Sequence, residues 1–206
     1  MPVVKATVHG AISIVNAIAT GKGATLGISK NIDVIIETSQ GHGITTETNG
    51  KLFRSRLINK VIEKIVPKKE LQKTKLKILL DSEVPTGYGL KSSSAISSAV
   101  ALGCAKLFKP NMNDFEILSA GVDASIETKV SLTGAYDDAC ACYYGGFNTT
   151  DNYKRKIIHS EKCLDDISAV IFLPHARKRG NIRKLRTQSD VFEQAWNLAK
   201  KSDYWN

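Results

Sequence analysis

The stretch from Val84 to Ser94, VPTGYGLKSSS, has the residue types of a loop that binds phosphate. Gly87 and Gly89 permit positive backbone dihedral angles and let a ligand approach the main chain. The serines after Lys91 are predicted to begin a helix, whose free backbone N–H groups and positive dipole end would face the loop. Lys91 adds positive charge, and a serine hydroxyl can help to hold a metal ion. A glycine-rich turn with serine helix caps and no ligand is the alternative.

The spacing excludes two common nucleotide-binding motifs. A P-loop, G-x4-G-K-S/T, has glycine before its lysine, whereas Leu90 precedes Lys91 here. The segment TGKG at 20–23 does not complete that motif either. A dinucleotide-binding G-x-G-x-x-G sequence needs a third glycine where Ser92 stands. The loop therefore predicts a phosphate site of another kind.

Two adjacent carboxylates follow in TGAYDDACACYYGG, residues 133–146. Asp137 or Asp138, placed beside a bound hydroxyl group, can accept its proton or orient it while a phosphoryl group is transferred. The alternative is a helix N-cap and first-turn charge without chemistry. Glu127, on the preceding predicted helix, is a candidate magnesium ligand, with an exposed helical glutamate as the alternative.

A mixed set of strands and helices must position these residues, which favours the α+β class. Strands are predicted at 3–9, 24–29, 31–38, 75–81, 154–160 and 168–173. A tight turn at Lys30-Asn31 would pair the second with the third, and 40–50 would be a loop or hairpin. Helices are predicted at 53–66, 92–108, 114–129 and 188–201, the third beginning with a capping box of Asn113 and Glu116. A composition shift near 147–154 is the best candidate for a domain boundary.

The 206 residues carry a net charge of +9, with 29 Lys and Arg against 20 Asp and Glu. This charge is scattered except for RKRGNIRKLR at 177–186, and it suits phosphorylated small molecules as well as nucleic acids. No apolar run approaches the roughly 20 residues of a membrane helix, and no secretory signal is recognised, so a cytoplasmic protein is expected. The four cysteines lack a zinc-binding spacing and are expected to be buried reduced thiols.

Three segments, in order across residues 9–146, resemble the GHMP kinases, which include galactokinase, homoserine kinase and mevalonate kinase. VPTGYGLKSSSAISSAV is similar to their phosphate-loop motif, usually P-x3-G-L-G/S-S-S-A/S. TGAYDDACACYYGG is similar to their acidic segment, which ends in Gly-Gly. The opening GAISIVNAIATGKGATLGI resembles the archaeal shikimate kinase branch in particular.

The resemblance implies a GHMP kinase fold in two parts. Residues 1–150 would form the N-terminal ATP-binding α+β domain, with a left-handed βαβ crossover. Residues 151–206 would form the start of a ferredoxin-like C-terminal domain. The family's third glycine-rich motif, of the type G-S/T-G-P, does not occur after Gly180, so that domain is expected to be partial. The apolar surface thereby left uncovered would favour a homodimer.

The reaction implied by the resemblance is ATP-dependent phosphorylation of the 3-hydroxyl of shikimate, with Mg²⁺ as cofactor. The partial C-terminal domain leaves open whether this length of chain is active. The alternatives are another GHMP kinase, with homoserine or mevalonate as acceptor, and a non-catalytic nucleotide- or RNA-binding module. The opening segment argues against the first, while the missing third motif and the net charge of +9 keep the second open.

The resemblance also places the nucleotide contacts residue by residue. Mg²⁺ would be held by Ser94 and Glu127. The ATP phosphates would be surrounded by the loop residues Pro85, Gly87, Gly89, Leu90, Lys91, Ser92, Ser93 and Ser94.

The acceptor and catalytic residues fall on the other two segments. Asn16 and Thr20 would approach the acceptor, and Lys22 would approach the γ-phosphate as a catalytic residue. The catalytic carboxylate falls best on Asp137, whereas counting back from Gly145-Gly146 selects Asp138. The acceptor's carboxylate or the phosphates would be held by Arg177, Arg179 and Arg183, for which a solvated basic loop is the alternative.

Overall fold

The computed structural model of the chain describes residues 2–163, 167–173 and 182–204, which form a mixed sheet packed with helices. The predicted α+β class is confirmed. The strands are β1 (Val3–Val15), β2 (Lys22–Gln40), β3 (Ile44–Thr48), β4 (Lys51–Phe53), β5 (Thr74–Ser82), β6 (Phe147–Asp151) and β7 (Lys156–Glu161). The helices are α1 (Arg56–Ile65), α2 (Lys68–Lys73), α3 (Ser92–Phe108), α4 (Asp114–Glu127), α5 (Tyr136–Tyr144), α6 (Ile182–Arg186) and α7 (Ser189–Ala199).

The long strand β2 organises the sheet. It pairs antiparallel with β1 along most of its length, with β6 over Lys22–Leu26 and with β5 over Ile32–Gln40. β3 and β4 form a hairpin, β3 pairs parallel with β5, and β7 pairs with β6. The segment Lys22–Leu26 of β2 and the whole of β6 therefore lie side by side, next to α5, which carries Asp137 and Asp138.

The main core lies between this sheet and the helices α1, α3, α4 and α5. α1 has the predicted apolar face, in which Leu57, Ile58, Val61, Ile62 and Ile65 are all buried. The capping box at the start of α4 is present as predicted, because Asn113 and Glu116 each bond the other's backbone N–H at 2.9 Å. α3 approaches the sheet closely because its residues are small: a Cβ at Gly103 would lie 2.8 Å from Ile36 Cδ1.

The predicted hairpin between 24–29 and 31–38 is wrong, because both stretches belong to the single strand β2. β1 pairs His9 with Asn31 but Gly10 with Ile28, so two residues of β2 bulge out without ending the strand. Lys30-Asn31 therefore marks an irregularity within a strand that stays paired with β1.

The prediction for 168–173 is also wrong, and one strand was missed. Described residues 167–173 are not a strand, and Val170 and Phe172 are 97% and 84% exposed. β6 was missed because its residues FNTTD are mostly polar, although the strand is buried. β6 and β7 join the same sheet as β1 to β5, while the division into two domains near residue 150 stays a prediction.

The composition led to expectations about the cysteines and about membrane-spanning helices, and the structure bears on both. Cys104, Cys140 and Cys142 are buried, Cys163 is half-buried, and all four are free thiols as predicted. Within the described part of the chain, no helix combines the length and the apolar composition needed to cross a membrane.

Candidate active site

Local backbone conformations fix the shape of the loop between β5 and α3. Gly87 and Gly89 have φ of 91° and 84°, in the left-handed region that glycine adopts without strain. Leu90 is buried, and its carbonyl oxygen accepts a hydrogen bond from Ala11 N at 3.2 Å, which ties the loop to β1. Lys91 is also left-handed, with φ 63° and ψ 24°, immediately before the first turn of α3. The loop therefore leads directly into the free N–H groups of that turn.

Two adjoining pockets lie beside the start of α3. The loop pocket has a volume of about 340 Å³ and includes the glycines of the loop and the serines Ser92, Ser93 and Ser94. The acid pocket has a volume of about 380 Å³ and includes Asn16 and Asp137. Both pockets share a wall that contains Lys91, Val130, Ser131, Ala135 and Asp138.

Asp137, in the first turn of α5, is buried and fully hydrogen-bonded. Its Oδ1 accepts from Asn152 Nδ2 at 2.8 Å, and its Oδ2 lies 3.1 Å from the hydroxyl of Thr25. The backbone N–H of Asp137 donates to Asn152 Oδ1 at 2.9 Å, so the amide of Asn152 bonds this residue twice. Because both carboxylate oxygens have partners, Asp137 is held in one orientation.

Asp138 differs from Asp137 in facing both pockets. Its Oδ1 lies 3.1 Å from Lys91 Nζ and 3.1 Å from Thr25 Oγ1. The single hydroxyl proton of Thr25 can point to only one of the two carboxylates at a time. The pair is therefore bridged by one hydroxyl group and neutralised in part by one ammonium group.

The same contacts shift the pKa values of this cluster. Burial raises the pKa of Asp138 to about 7, the charge of Asp137 adds to the rise, and Lys91 and Thr25 oppose it. Burial lowers the pKa of Lys91, but the charges of Asp138 and Asp137 more than offset it, so the pKa is raised and the ammonium stays protonated. The shared wall thus holds a carboxyl group whose pKa is raised toward neutral pH beside a protonated ammonium group.

Of the residues predicted from the opening segment, Asn16 reaches the acid pocket, whereas Thr20 and Lys22 line neither pocket. The Thr20 hydroxyl accepts from the backbone N–H of Lys22 at 3.2 Å. The Lys22 ammonium forms an ion pair with Glu193 and lies 4.8 Å from the ring centroid of Trp196. The catalytic role predicted for Lys22 therefore lacks geometric support, because α7 packs against this end of β2 and engages the side chain.

The metal role predicted for Glu127 is not supported either. Its Oε1 accepts from Lys64 Nζ at 2.5 Å, and its Oε2 lies 3.9 Å from Lys60 Nζ, so α1 neutralises this carboxylate outside both pockets. Among the described residues, no group of three or more His, Cys, Asp or Glu side chains could hold a metal ion. Ser94, the other predicted metal ligand, does line the loop pocket.

The remaining predicted contacts divide between loop and surface. Pro85 and Leu90 do not line the loop pocket, and Leu90 instead packs in the core. Arg183 lies on α6 with an exposed side chain. Arg177 and Arg179 lie outside the described residues.

Sequence reasoning missed Asn152, Thr25 and Gly23, all of which contact the acid pair. Asn152 lies just after β6, and Thr25 and Gly23 lie on β2. A Cβ at Gly23 would lie 2.6 Å from Asp137 Cγ, so this strand passes directly against the carboxylate. Neither residue type nor spacing marks these positions, since only the pairing of β2 with β6 brings them to α5.

Comparison with known proteins agrees with this fold. Residues 56–146 match the family described as GHMP kinases N terminal domain. The shikimate kinase of Methanobrevibacter smithii is 34% identical over 206 residues, which cover 95% of this chain and 70% of that protein. That of Methanosarcina mazei is 35% identical over 204 residues, which cover 97% and 69%. The chain belongs to the GHMP kinase family, and the two relatives named above are archaeal shikimate kinases.

Three further comparisons bear on length and fold. The shikimate kinase of Thermococcus kodakarensis is 34% identical over 172 residues, covering 82% of this chain and 63% of that protein, so the chain spans about two thirds of the relatives' length. The mevalonate kinase of Methanococcus jannaschii has a TM-score of 0.67 at 17% identity, over 97% of this chain and 71% of that one. The homoserine kinase of Cytophaga hutchinsonii has a TM-score of 0.60 at 18% identity, over 75% and 50%. At these identities the two structures establish the fold.

Proposed function

We propose that the protein is a kinase that transfers the γ-phosphoryl group of ATP to the 3-hydroxyl group of shikimate. The observation that carries the proposal is the pair of adjoining pockets with Lys91 and Asp138 in their shared wall. One pocket begins at a serine-rich helix start suited to phosphate groups, and the other contains two carboxylates. Relatives named shikimate kinase supply the acceptor, and the kinase family supplies ATP as the donor.

The loop pocket would bind the phosphates of ATP. The backbone N–H groups of Ser92, Ser93 and Ser94 stand at the positive end of α3, and Lys91 adds a full charge. The residues present also fit Mg²⁺, which prefers oxygen ligands and takes most of them from phosphates and water. Ser94 would contribute its hydroxyl oxygen, and the ion would neutralise phosphate charge when bound.

The acid pocket would bind the acceptor. Ser13, Asn16 and Thr133 provide polar side chains along its wall, which suits an acceptor rich in hydroxyl groups. Asp138 would accept the proton of the attacking hydroxyl, because it faces both pockets and has a pKa near 7. Asp137, whose oxygens are already bonded by Asn152 and Thr25, would orient this arrangement rather than take the proton.

The test is an assay of ADP release by the 206-residue chain with Mg-ATP and shikimate, with homoserine and mevalonate in parallel. The expected result is turnover that depends on shikimate and falls at least about 100-fold in kcat in Asp138→Asn, because a positioned base contributes that much or more. Asp81→Asn is the matched control, since Asp81 is an exposed carboxylate on β5 and lines neither pocket.

If the 206-residue chain shows no turnover, a second protein tests the assignment. This is the chain extended by the remaining C-terminal part of the Methanobrevibacter smithii relative. Turnover by the extended protein alone would keep the assignment and make the added segment necessary for activity. Silence from both proteins with shikimate, or a preference for homoserine or mevalonate, would overturn the assignment.

Three expectations from the sequence stay predictions beside this one. The cytoplasmic location and the homodimer are the first two of these predictions. The nucleic-acid alternative predicts RNA binding that weakens steeply as salt is raised, because Lys and Arg would displace counterions from phosphates. A titration of the chain with single-stranded RNA at two salt concentrations distinguishes it from the kinase.

A further inference from the structure

We propose that Lys91 is a catalytic residue of the phosphoryl transfer and not only a contact of the nucleotide; this rests on the proposed function. Its ammonium group lies in the wall that the two pockets share, 3.1 Å from Asp138 Oδ1. The side chain is 16% exposed, so it is enclosed between the pockets rather than extended into solvent. A group passing from one pocket to the other would pass beside this cation.

The backbone at Lys91 supports the proposal independently. The phosphate-loop motif usually has glycine or serine at this position, and the conformation, φ 63° and ψ 24°, is one that glycine adopts without strain. Three of the six described non-glycine residues with positive φ line the two pockets, namely Lys91, Lys129 and Ala135, and backbone strain of this kind clusters at functional sites. The carbonyl oxygen of Lys91 accepts from Ala95 N at 3.0 Å, which fixes the residue to the first turn of α3.

The electrostatic surroundings of the Lys91 ammonium group suit it to interact with the transferred phosphoryl group. Asp137 and Asp138 are the charged groups near it, and the thiol of Cys142 is neutral because burial raises its pKa well above the usual range. Among the described residues that line the loop pocket, Lys91 is the only cationic side chain. Lys22, the lysine that the sequence favoured for this role, is engaged by Glu193. Lys129 lines the acid pocket but not the shared wall, so Lys91 is the cation of the wall that both pockets share.

The step that follows balances in atoms and charge. The acceptor oxygen forms a bond to the γ-phosphorus while the bond from that phosphorus to the bridging oxygen of ADP breaks. The hydroxyl proton passes to the carboxylate of Asp138. As Asp138 becomes neutral, its attraction for Lys91 falls, and the ammonium can interact more strongly with the transferred phosphoryl oxygens. Lys91 keeps its own proton throughout.

The experiment compares wild-type protein with Lys91→Gly and Lys91→Met. Lys91→Gly keeps the fold, because glycine suits this backbone conformation and is usual in the motif. Lys106→Met is the matched control, since Lys106 is exposed at the far end of the same helix and its loss changes the net charge equally. Shikimate-dependent kcat and KM are measured against pH, and the affinity for ADP is measured by calorimetry.

The expected result for both Lys91 variants is a fall in kcat of about 100-fold to 1000-fold, the range for removing one donor that stabilises a transition state. The Kd for ADP is expected to weaken by less than about tenfold, because the helix N-terminus and the serines of the loop pocket stay in place. The acid limb of the pH profile is expected to move to higher pH, because Asp138 loses the ammonium that lowers its pKa. An unchanged kcat with a Kd for ADP weakened tenfold or more would reduce Lys91 to a binding contact and overturn the proposal. Absence of shikimate-dependent turnover from both the 206-residue chain and its extended form would instead refute the proposed function.

Discussion

Replacing Gly23 by alanine tests the architecture of the acid pair with a single methyl group. Gly23 lies on β2, and its φ is not in the left-handed region, so alanine meets no backbone strain there. The added Cβ would lie 2.6 Å from Asp137 Cγ and closer still to Oδ2. The side chain that must give way is the one that Asn152 and Thr25 hold in place.

The size of the effect follows from this distance. Carbon atoms in contact are separated by at least about 3.5 Å, so the carboxylate must move by about 1 Å. Asp137 then loses its contact with Thr25, the hydroxyl that also bridges to Asp138. A misplacement of about 1 Å costs a reaction about 100-fold in rate. The lost charged hydrogen bond lowers the free energy of unfolding by about 1.5–3 kcal/mol.

The assay is shikimate-dependent ADP release, with urea unfolding of the same preparation. Gly103→Ala is the matched control, since its Cβ would meet Ile36 Cδ1 at 2.8 Å on α3, where the flexible end of a side chain can move aside without disturbing the acid pair. We expect Gly23→Ala to lose about 100-fold in kcat and Gly103→Ala to keep it within about twofold. Equal activities in the two variants would refute the argument that β2 fixes the position of Asp137.

Three other perturbations have defined outcomes. Asn152→Ala removes the amide that bonds Asp137 twice. We expect kcat to fall about tenfold with an unchanged KM for ATP. An unchanged kcat would contradict the positioning role of Asn152. The pKa of Asp138 is raised from 3.8 to about 7 in the folded protein, so the free energy of unfolding falls as pH rises from about 4 to about 7. Asp138→Asn should remove most of this decline, as urea unfolding at pH 5 and pH 8 would reveal, and an equally steep decline in the variant would be evidence against the shift. Lys22→Met breaks the ion pair with Glu193. We expect kcat to stay within about twofold and the free energy of unfolding to fall by no more than about 1 kcal/mol. A large loss of kcat would restore the catalytic role of Lys22.

The sequence was informative where a feature is local to the chain. The apolar face of α1, the capping box of α4 and the extent of α3 each depend on residues within a few positions of one another, and all three were predicted correctly. The loop from Val84 to Ser94 is local in the same sense, because its glycines and the helix start that follows are contiguous.

The sequence was uninformative where a contact joins distant segments. Asn152 reaches Asp137 only because β6 pairs with β2 beside α5, and polar residues in a buried strand resemble a loop when read alone. Glu193 and Lys22 are 171 positions apart in the sequence, so nothing near Lys22 indicates that its side chain forms an ion pair with α7. A tight turn and a bulge favour the same residues, so the sequence at Lys30-Asn31 predicts a turn where β2 has a bulge. Only the continuous pairing of β2 with β1 distinguishes the two.

The charges in the site explain why its cation lies on the loop. The shared wall carries Lys91 and Asp138, with Asp137 next to it in the acid pocket. These three groups have a net charge of −1 when all are ionised, and nucleotide phosphates would add more negative charge beside the wall. Lys22 could not neutralise phosphates beside this wall, because its ion pair with α7 holds the side chain outside both pockets. Lys91 neutralises Asp138 and faces the phosphate side at once. A lysine at a strained, glycine-like position is therefore the arrangement that lets a buried acid pair and a nucleotide occupy adjoining pockets.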